Sequence, residues 1–313
     1  MVKSRECFLQ PLMAVPWTSG PLDWVEVFGR RAPLNVEIGF GCGEVLLREA
    51  QRSRDQDFVG IELNWERIHK TLREMTKSAG GLQTRNVRIL KVDARLVFER
   101  FFAGESIDRI YSLYPCPWPK KGHIKHRLFS KDFLRLLNNR LKPQGEVKIV
   151  TDYYPYVEWI LTEALGTGFQ VRQEVIKPQY GTKFERRWFE GGQEEFHALN
   201  LLKDKHLEVP ITSEAGLQTY KIKDFQQERF RWVDQTGDIA VVLKDMLFDA
   251  GRQKAMVHVV VAEAHLTQHF WISIIKKEKD WIIRKADGQN VFPTPGIAQA
   301  LKLVYEATSS TVE

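Results

Sequence analysis

The sequence has 313 residues, of which 43% are hydrophobic and 27% are charged, the balance of an ordinary globular protein. No apolar run reaches the roughly 20 residues that a membrane helix needs, so the sequence predicts no membrane span. The cysteines Cys7, Cys42 and Cys116 are too few and too widely spaced for a disulfide framework or a Cys-x-x-Cys metal site. Prolines interrupt the apolar N-terminal stretch and no signal-type cleavage site follows it, so we expect a cytoplasmic protein.

The positive charge is unevenly distributed along the chain. The net charge is +6, yet residues 208–313 hold 13 Lys and Arg against 14 Asp and Glu. The excess therefore lies in the first two thirds, and it is densest from Trp118 to Lys148, with nine basic residues against two acidic ones. A basic face suits a polyanionic partner. A solvated helix face gives the same pattern, and charge alone does not separate the two.

From residue 34 onward, short apolar runs alternate with helical patterns. The alternation predicts a parallel sheet with helices on both faces, an α/β fold, closed by two further strands. The predicted strands are Leu34–Ile38, Phe58–Glu62, Val87–Val92, Ile107–Leu113, Glu146–Val150, Phe169–Val175 and Glu195–Leu202. The predicted helices are Glu44–Arg52, Trp65–Ser78, Lys131–Leu141 with Ser130 as N-cap, and Pro155–Leu165.

The composition changes near residue 208. Beyond it the sequence predicts a separate, smaller α+β domain of ordinary size. Its predicted elements are the strands Ile239–Leu243, Met256–Val261, Phe270–Ile275 and Trp281–Arg284 and the helix Ile297–Ala307. We therefore expect three parts: an N-terminal segment (1–33), an α/β domain (34–207) and a C-terminal α+β domain (208–313).

A glycine-rich loop follows the first predicted strand, with Gly39, Gly41 and Gly43 between Glu37 and Glu44. A dinucleotide fingerprint requires glycine at position 44 so that the helix N-terminus can take a pyrophosphate. Glu37 and Glu44 would repel a pyrophosphate. They suit a ligand with a positive amino group and no phosphate, such as S-adenosylmethionine. Turn chemistry alone explains such a loop about as well.

Two further acids follow the next predicted strands. Glu62 ends the second strand, where a carboxylate accepts both hydroxyls of a ribose. Asp93 follows the third strand, where a carboxylate can receive an adenine amino group. Either acid alone has the alternative interpretation of a helix N-cap. Together with Glu37, they place three acids at successive strand ends, which favours an S-adenosylmethionine site.

The fourth predicted strand runs into a loop with three prolines, from Tyr114 to Lys121. The prolines predict a rigid loop at the carboxyl end of the strand. Basic residues beside it are expected to contact phosphates, namely Lys120, Lys121, Lys125 and Arg127. Trp118 either stacks on a base or packs within the loop. A metal site built from Cys116, His123 and His126 is disfavoured, because the neighbouring lysines repel a cation and three ligands are too few.

Two more motifs complete the set: Thr151-Asp152-Tyr153 after the fifth strand, and Thr182-Lys183-Phe184-Glu185-Arg186, expected in a loop before the last strand. Taken together, the motifs resemble the bacterial tRNA (guanine-N7-)-methyltransferase family, TrmB, over roughly residues 34–203. The Pro-x-Pro-Trp-Pro-Lys-Lys run combined with Thr-Lys-Phe-Glu is specific to this family. Residues 208–313 lie outside its usual short form and correspond to a C-terminal extension.

The resemblance implies a class I methyltransferase fold, a Rossmann-like α/β sheet, and methylation of the guanosine at tRNA position 46. It implies that S-adenosylmethionine is held by the three glycines of the loop and by Glu37, Glu62 and Asp93. It also implies that the guanine is held by Asp152, Thr182, Lys183 and Glu185. Residue 116 is expected beside both the cofactor and the reacting atoms, and the family has Asp where this sequence has Cys116.

The chemistry makes that departure tolerable. Guanine N7 has an in-plane lone pair and no proton, so the reaction needs no general base. The site must orient the base and place negative charge near the ring that becomes cationic. Asp152 and Glu185 are expected to do this by accepting from guanine N1–H and N2–H₂, and Cys116 has no role as a nucleophile.

Three functions therefore stay open: an active tRNA guanine-N7 methyltransferase, a non-catalytic cofactor-binding protein that binds tRNA, and a methyltransferase for another RNA. The sequence predicts tRNA as the partner and gives no sign of an obligate protein partner.

Overall fold

A computed structural model describes residues 9–13, 20–77, 85–210, 215–263, 266–289 and 291–308. The chain forms two compact units, Met1–Ile211 and Thr212–Glu313. Of the N-terminal segment predicted over 1–33, residues 1–8 and 14–19 lie outside the described residues, as does Ser78 at the end of a predicted helix. Across the part of the chain that the structure describes, no helix is long and apolar enough to cross a membrane.

The first unit is an α/β layer structure. Its strands are β1 (Leu34–Ile38), β2 (Asp57–Ile61), β3 (Val87–Leu90), β4 (Ile107–Leu113), β5 (Leu141–Thr151), β6 (Phe169–Ile176) and β7 (Phe196–Lys203). Its helices are α1 (Trp24–Phe28), α2 (Glu44–Arg52), α3 (Trp65–Lys77), α4 (Ala94–Arg100), α5 (Lys131–Arg140), α6 (Tyr154–Glu163) and α7 (Lys183–Glu190), with a 3₁₀ helix at Lys121–His126.

The seven strands form one sheet in the order β3-β2-β1-β4-β5-β7-β6. Strands β1 to β5 are parallel, whereas β7 runs antiparallel to both of its neighbours. The predicted mostly parallel α/β sheet is therefore confirmed. The strand order reverses direction between β1 and β4, and the loops at the carboxyl ends of these two strands flank the crevice in which such sheets bind ligands.

Burial on both faces explains why the central strands are continuously apolar. All five residues of β1 and all five of β2 are buried. Val36, Val59, Ile110 and Ile149 have no exposed surface. Each such side chain stabilises the fold by roughly 1.5–3 kcal/mol, so the sheet is a rigid platform for the loops at its edge.

The structure differs from the sequence prediction at several boundaries. Residues Lys183–Glu190 form a helix, so the prediction of a loop at Thr182–Arg186 was wrong, and α1 and α4 were not predicted. Strand β5 begins directly where α5 ends, at Leu141, although a helix end was predicted there. Ser130 does occupy the N-cap position of α5, but the Lys131 amide donates to Oε2 of Glu163 at 2.6 Å.

The second unit combines an antiparallel sheet with one long helix, and its predicted α+β character is confirmed. Its strands are β8 (Tyr220–Ile222), β9 (Ile239–Asp249), β10 (Lys254–Glu263), β11 (Leu266–Lys277) and β12 (Asp280–Lys285), in the order β8-β12-β11-β10-β9. Helix α8 (Pro295–Thr308) packs on the sheet, so that Leu301 and Val304 share a core with Val257, Val259 and Phe270.

Candidate active site

The loop between β1 and α2 has a left-handed backbone at every second residue. The φ angle is 72° at Gly39, 61° at Gly41 and 79° at Gly43, a region that favours glycine. A Cβ atom at Gly43 would lie 2.6 Å from Cγ2 of Thr71, so this glycine also lets α2 pack closely on α3. At Gly39 and Gly41 a Cβ would meet no described atom within 4 Å, so the space beside this part of the loop is open.

Glu62 joins the end of β2 to the glycine loop. Its side chain is 7% exposed. Its Oε1 accepts the backbone N–H groups of Leu63 and Asn64 at 2.8 and 2.9 Å. Its Oε2 accepts the N–H of Gly41 at 3.1 Å and lies 3.4 Å from Nη1 of Arg67. The carboxylate therefore shapes the loop from the carboxyl end of β2.

Glu37 lies near the carboxyl end of β1 and is buried. Burial raises the pKa of the Glu37 carboxyl to about 8, and the negative charge of Glu44 adds to the shift. The positive charge of Arg48 opposes it. Glu37 is therefore mostly protonated at neutral pH, and a cation bound beside it would favour the ionised form.

Asp93 is the N-cap of α4. Its Oδ1 accepts the backbone N–H of Arg95 at 2.8 Å. The capping interpretation that the sequence left open is thus confirmed. Because β3, β2 and β1 are adjacent and parallel, Asp93, Glu62 and Glu37 all stand at the same edge of the sheet.

The proline loop after β4 has unusual backbone angles at both ends. Tyr114 and Trp118 have φ angles of 57° and 44°, which cost free energy for residues that carry a Cβ and recur at functional sites. Between them, Cys116 is exposed. The Trp118 ring lies 5.7 Å from that of His123 and 5.3 Å from that of His126, so it packs against the 3₁₀ helix. It is also 36% exposed, and its stacking on a base stays a prediction. The lysines of this region are exposed, namely Lys120, Lys121 and Lys125.

The described residues contain no group of three or more His, Cys, Asp or Glu side chains that is placed to hold a metal ion.

Asp152 directly follows β5 and is half-buried. Burial raises the pKa of its carboxyl, while its own backbone amide and the nearby His197 oppose the shift. His197 lies on β7 opposite Thr151, with its ring 5.1 Å from that of Tyr154. A partly desolvated carboxylate of this kind is typical of a ligand-binding position.

The α7 segment, which we define as residues 177–190, is built around Glu185. Thr182 is the N-cap of α7 and accepts the Glu185 backbone N–H at 3.1 Å. The Glu185 carboxylate accepts the Tyr114 hydroxyl at 2.9 Å, the N–H groups of Gln179 and Tyr180 at 2.7 and 3.1 Å, and the N–H of Gly181. It is 2% exposed.

The α7 segment lies against α2, the helix that follows the glycine loop. The Lys183 backbone N–H donates to Oε1 of Glu44 at 3.1 Å, and Nη2 of Arg186 lies 3.6 Å from the same oxygen. Arg48 donates from Nη1 to the carbonyl oxygen of Tyr180 at 2.6 Å. The glycine loop, the proline loop and the Thr-Lys-Phe-Glu motif therefore belong to one connected site.

The chain is similar to known methyltransferases. The family model described as "Putative methyltransferase" matches residues 31–198. A tRNA (guanine-N(7)-)-methyltransferase of Chlorobium phaeobacteroides is 41% identical over 187 residues, 59% of this chain and 90% of the relative. One from Thermotoga maritima is 29% identical over 303 residues, 91% of this chain and 92% of the relative. The chain belongs to the tRNA (guanine-N7)-methyltransferase family. Among solved structures, the 16S rRNA methyltransferase KamB has a TM-score of 0.47 and 14% identity, covering 58% of this chain and 93% of that one.

The alignment with the Thermotoga maritima relative covers far more of this chain than the alignment with the Chlorobium phaeobacteroides relative. Because it spans 91% of the chain, it must include part of the second unit. The C-terminal extension is therefore shared with at least one other member of the methyltransferase family.

Arg127, expected to contact a tRNA phosphate in this methyltransferase, has another role in the structure. Arg127 is 5% exposed, and its Nε donates to the carbonyl oxygen of Pro117 at 2.9 Å. Its guanidinium also lies over the rings of Tyr156 and Trp159, at 5.3 and 5.2 Å. The expected phosphate contact is thus corrected: Arg127 holds the proline loop on α6. Its lysine neighbours remain free to meet a phosphate.

Glu185, for which the resemblance implies a contact with guanine, makes its described hydrogen bonds within the protein. Its buried carboxylate accepts four of them, three from backbone amides of the α7 segment. The carboxylate therefore positions this segment, and its contact with guanine stays a prediction. Sequence analysis also missed Tyr114 and Arg48, which hold this segment. The only sequence signal was the position of Tyr114 directly after a strand, and Arg48 resembled any helix-surface arginine.

Proposed function

We propose that this protein transfers a methyl group from S-adenosylmethionine to N7 of a guanosine in tRNA, at position 46 as the family resemblance implies, and that it acts in the cytoplasm. The observation that carries the proposal is the bond from the Lys183 backbone N–H to Glu44. It puts the family's substrate motif directly against the helix that starts at the glycine loop. The cofactor and substrate motifs are therefore neighbours in space, as group transfer requires.

The residues at the sheet edge fit S-adenosylmethionine. The open space beside Gly39 and Gly41 admits a ligand close to the backbone, and the neighbouring Glu37, Glu62 and Asp93 suit a ribose and an amino group but not a phosphate. When bound, S-adenosylmethionine supplies an electrophilic methyl group. Glu62 would accept the ribose hydroxyls, Glu37 would face the amino group, and the half-exposed Asp93 would retain an oxygen for adenine while it caps α4.

Asp152 is the carboxylate that we assign to the guanine. Asp152 would accept from guanine N1–H and N2–H₂, whereas Glu185 makes four hydrogen bonds within the protein and would hold the α7 segment that borders the base. Its negative charge would also stabilise the ring that becomes cationic as N7 bonds to the methyl carbon. Thr182 and Lys183, at the start of α7, would border the base, and Lys120, Lys121 and Lys125 would contact tRNA phosphates. Cys116 would lie beside the reacting atoms.

Nucleoside analysis tests this proposal. The protein is incubated with S-adenosylmethionine and a tRNA transcript, and the nucleosides are separated by mass spectrometry. We expect one 7-methylguanosine per transcript, and none when G46 is replaced by A. Asp152→Asn should lower the rate by about 10- to 100-fold, since it removes the charge that acts in the transition state.

The outcomes distinguish the three functions. Binding of both cofactor and tRNA without methylation would identify a non-catalytic binding protein. A methyl group on another nucleotide, or only on another RNA, would identify a different methyltransferase.

A further inference from the structure

Two successive turns of α2 hold the α7 segment. Glu44 in the first turn accepts the Lys183 backbone N–H and lies near the Arg186 guanidinium. Arg48, one turn later, donates to the Tyr180 carbonyl oxygen at 2.6 Å. The segment that carries the family's Thr-Lys-Phe-Glu motif is therefore attached to the helix of the cofactor loop.

Arg48 makes its attachment through a charged group. Its side chain is 31% exposed, and its donor is a charged guanidinium, which strengthens and shortens a hydrogen bond to a carbonyl. The acceptor belongs to the same turn whose N–H groups, at Tyr180 and Gly181, bind Glu185. Gly181 has a φ angle of 62°, and a Cβ there would lie 3.8 Å from Nη1 of Arg48. Arg48 thus binds a carbonyl group of this turn, and Glu185 binds two of its amide groups.

The N-terminal end of α2, where Glu44 lies, adjoins the cofactor loop. Gly43 is the N-cap of α2, and two residues earlier the Gly41 N–H binds Glu62. A ligand that contacts the glycine loop therefore lies beside the start of α2. Glu44 and Arg48, in the first two turns of α2, connect this loop to the α7 segment.

We propose that Arg48 is a positioning residue that couples the cofactor loop to the guanine-recognition segment, so that cofactor and tRNA bind with positive cooperativity. The inference rests on the proposed function. Ordering the loop, α2 and the α7 segment is one shared entropic cost, which the first ligand meets and the second does not. Linkage then requires each ligand to raise the affinity of the other by the same factor.

Binding measurements on the full chain test the coupling. The affinity for a tRNA transcript is measured with and without saturating S-adenosylhomocysteine, which carries no methyl group to transfer. The wild type should bind tRNA about tenfold more tightly with this ligand, and the ligand about tenfold more tightly with tRNA, a typical coupling factor. In Arg48→Met, which keeps the aliphatic chain and removes the donors, both factors should fall severalfold toward one, while the affinity for each single ligand changes far less.

A neighbouring arginine provides the matched control. Arg52 lies on the same helix and pairs with the same Glu49 as Arg48, at 3.5 Å, but its side chain is 68% exposed. Arg52→Met should keep the tenfold coupling, and Arg48→Lys should recover part of it. If Arg48→Met fails to fold or to bind, Arg48→Lys replaces it, and its coupling factors should lie between those of Arg48→Met and the wild type.

Two results would overturn the inference: coupling factors near one in the wild type, or full coupling in the variant tested. Methylation of the same transcript is followed in parallel. Its absence in the wild type would remove the proposed function and this inference with it. Normal methylation by a wild type without coupling would remove the inference alone.

Discussion

The carboxylate of Glu62 accepts the backbone N–H of Gly41 at 3.1 Å, which ties the end of β2 to the loop that follows β1. Its other oxygen accepts two further amides, those of Leu63 and Asn64. Three backbone amides therefore hold the carboxylate, and the carboxylate shapes the left-handed loop in turn. The same side chain thus contributes both to the form of the loop and to the candidate ribose position.

The first prediction concerns this carboxylate. Glu62→Ala should weaken the binding of S-adenosylmethionine by about 1–3 kcal/mol, the usual contribution of hydrogen bonds to a charged group. Glu66→Ala is the matched control, since Glu66 lies one turn further on and is exposed. Calorimetric titration measures both. Equal affinities of Glu62→Ala and wild type would remove Glu62 from the cofactor site.

The second prediction uses the raised pKa of Glu37, about 8 in the folded protein against an ordinary value of 4.5. Between about pH 4.5 and 8 the folded state keeps a proton that the unfolded state has released. The contribution of the Glu37 carboxyl to stability is therefore full below about pH 4.5 and is lost as the pH rises through 8. Glu37→Gln carries no charge and lacks this decline. Its free energy of unfolding should exceed that of the wild type by a margin that grows with pH, reaching roughly 2–4 kcal/mol.

Urea unfolding without cofactor at pH 5.5, 7 and 8.5 measures that margin. Glu158→Gln, at an exposed position, serves as the control and should run parallel to the wild type. A Glu37→Gln curve that also runs parallel to the wild type would show that the carboxyl titrates normally.

The sequence predicted the sheet well because its signal is local. Strands buried on both faces are runs of apolar residues, and β1 matched its prediction, Leu34–Ile38, at both ends. Helix α4 was missed because it has seven residues, too few to show a helical period, and because its N-cap Asp93 was interpreted as a ligand. Asp93 can serve both purposes, and no sequence pattern separates them.

The candidate site was harder to predict than the fold, because it depends on contacts between distant parts of the chain. Glu185 and Tyr114 are 71 residues apart, and the bond between their side chains follows only from the tertiary structure. Arg127 stands among exposed lysines in the sequence, yet it is buried by the aromatic rings of α6. Charge patterning identifies a basic segment but does not tell which of its members point inward.

The third prediction separates the exposed lysines from that arginine. Replacing Lys120, Lys121 and Lys125 together by Ala should reduce the slope of log affinity for tRNA against log salt by about 2, since each lost phosphate contact removes roughly 0.7–0.9. Stability should hardly change, because the side chains are exposed. Filter binding between 50 and 300 mM salt gives the slope, and an unaltered slope would mean that the lysines are merely solvated.

The fourth prediction concerns the buried Arg127, for which we expect an effect on stability and none on the salt dependence of tRNA binding. Arg127→Ala should lower the free energy of unfolding by about 2–4 kcal/mol, because it removes a charge-assisted hydrogen bond to Pro117 and the stacking on Tyr156 and Trp159. Urea unfolding measures the loss. The salt dependence of tRNA binding should keep the wild-type slope, and a reduced slope with unchanged stability would return Arg127 to the phosphate-binding surface.

The last prediction concerns Cys116, where this chain has a thiol and the family resemblance implies a carboxylate. We expect the wild type to be active and Cys116→Asp to methylate tRNA at an equal or higher rate. The loop is fixed by its prolines and by the Arg127–Pro117 bond, so residue 116 keeps its place whatever its side chain. A carboxylate there adds negative charge where guanine becomes cationic, whereas a thiol offers only a weak hydrogen bond.

Glu185→Ala should lower the methylation rate more than Cys116→Ser, because the α7 segment loses the acceptor of three of its amides. Single-turnover methylation of a tRNA transcript measures all three variants. A wild type that is inactive until Cys116→Asp restores it would indicate a non-catalytic binding protein, and an inactive Cys116→Ser beside an active wild type would give the thiol a chemical role.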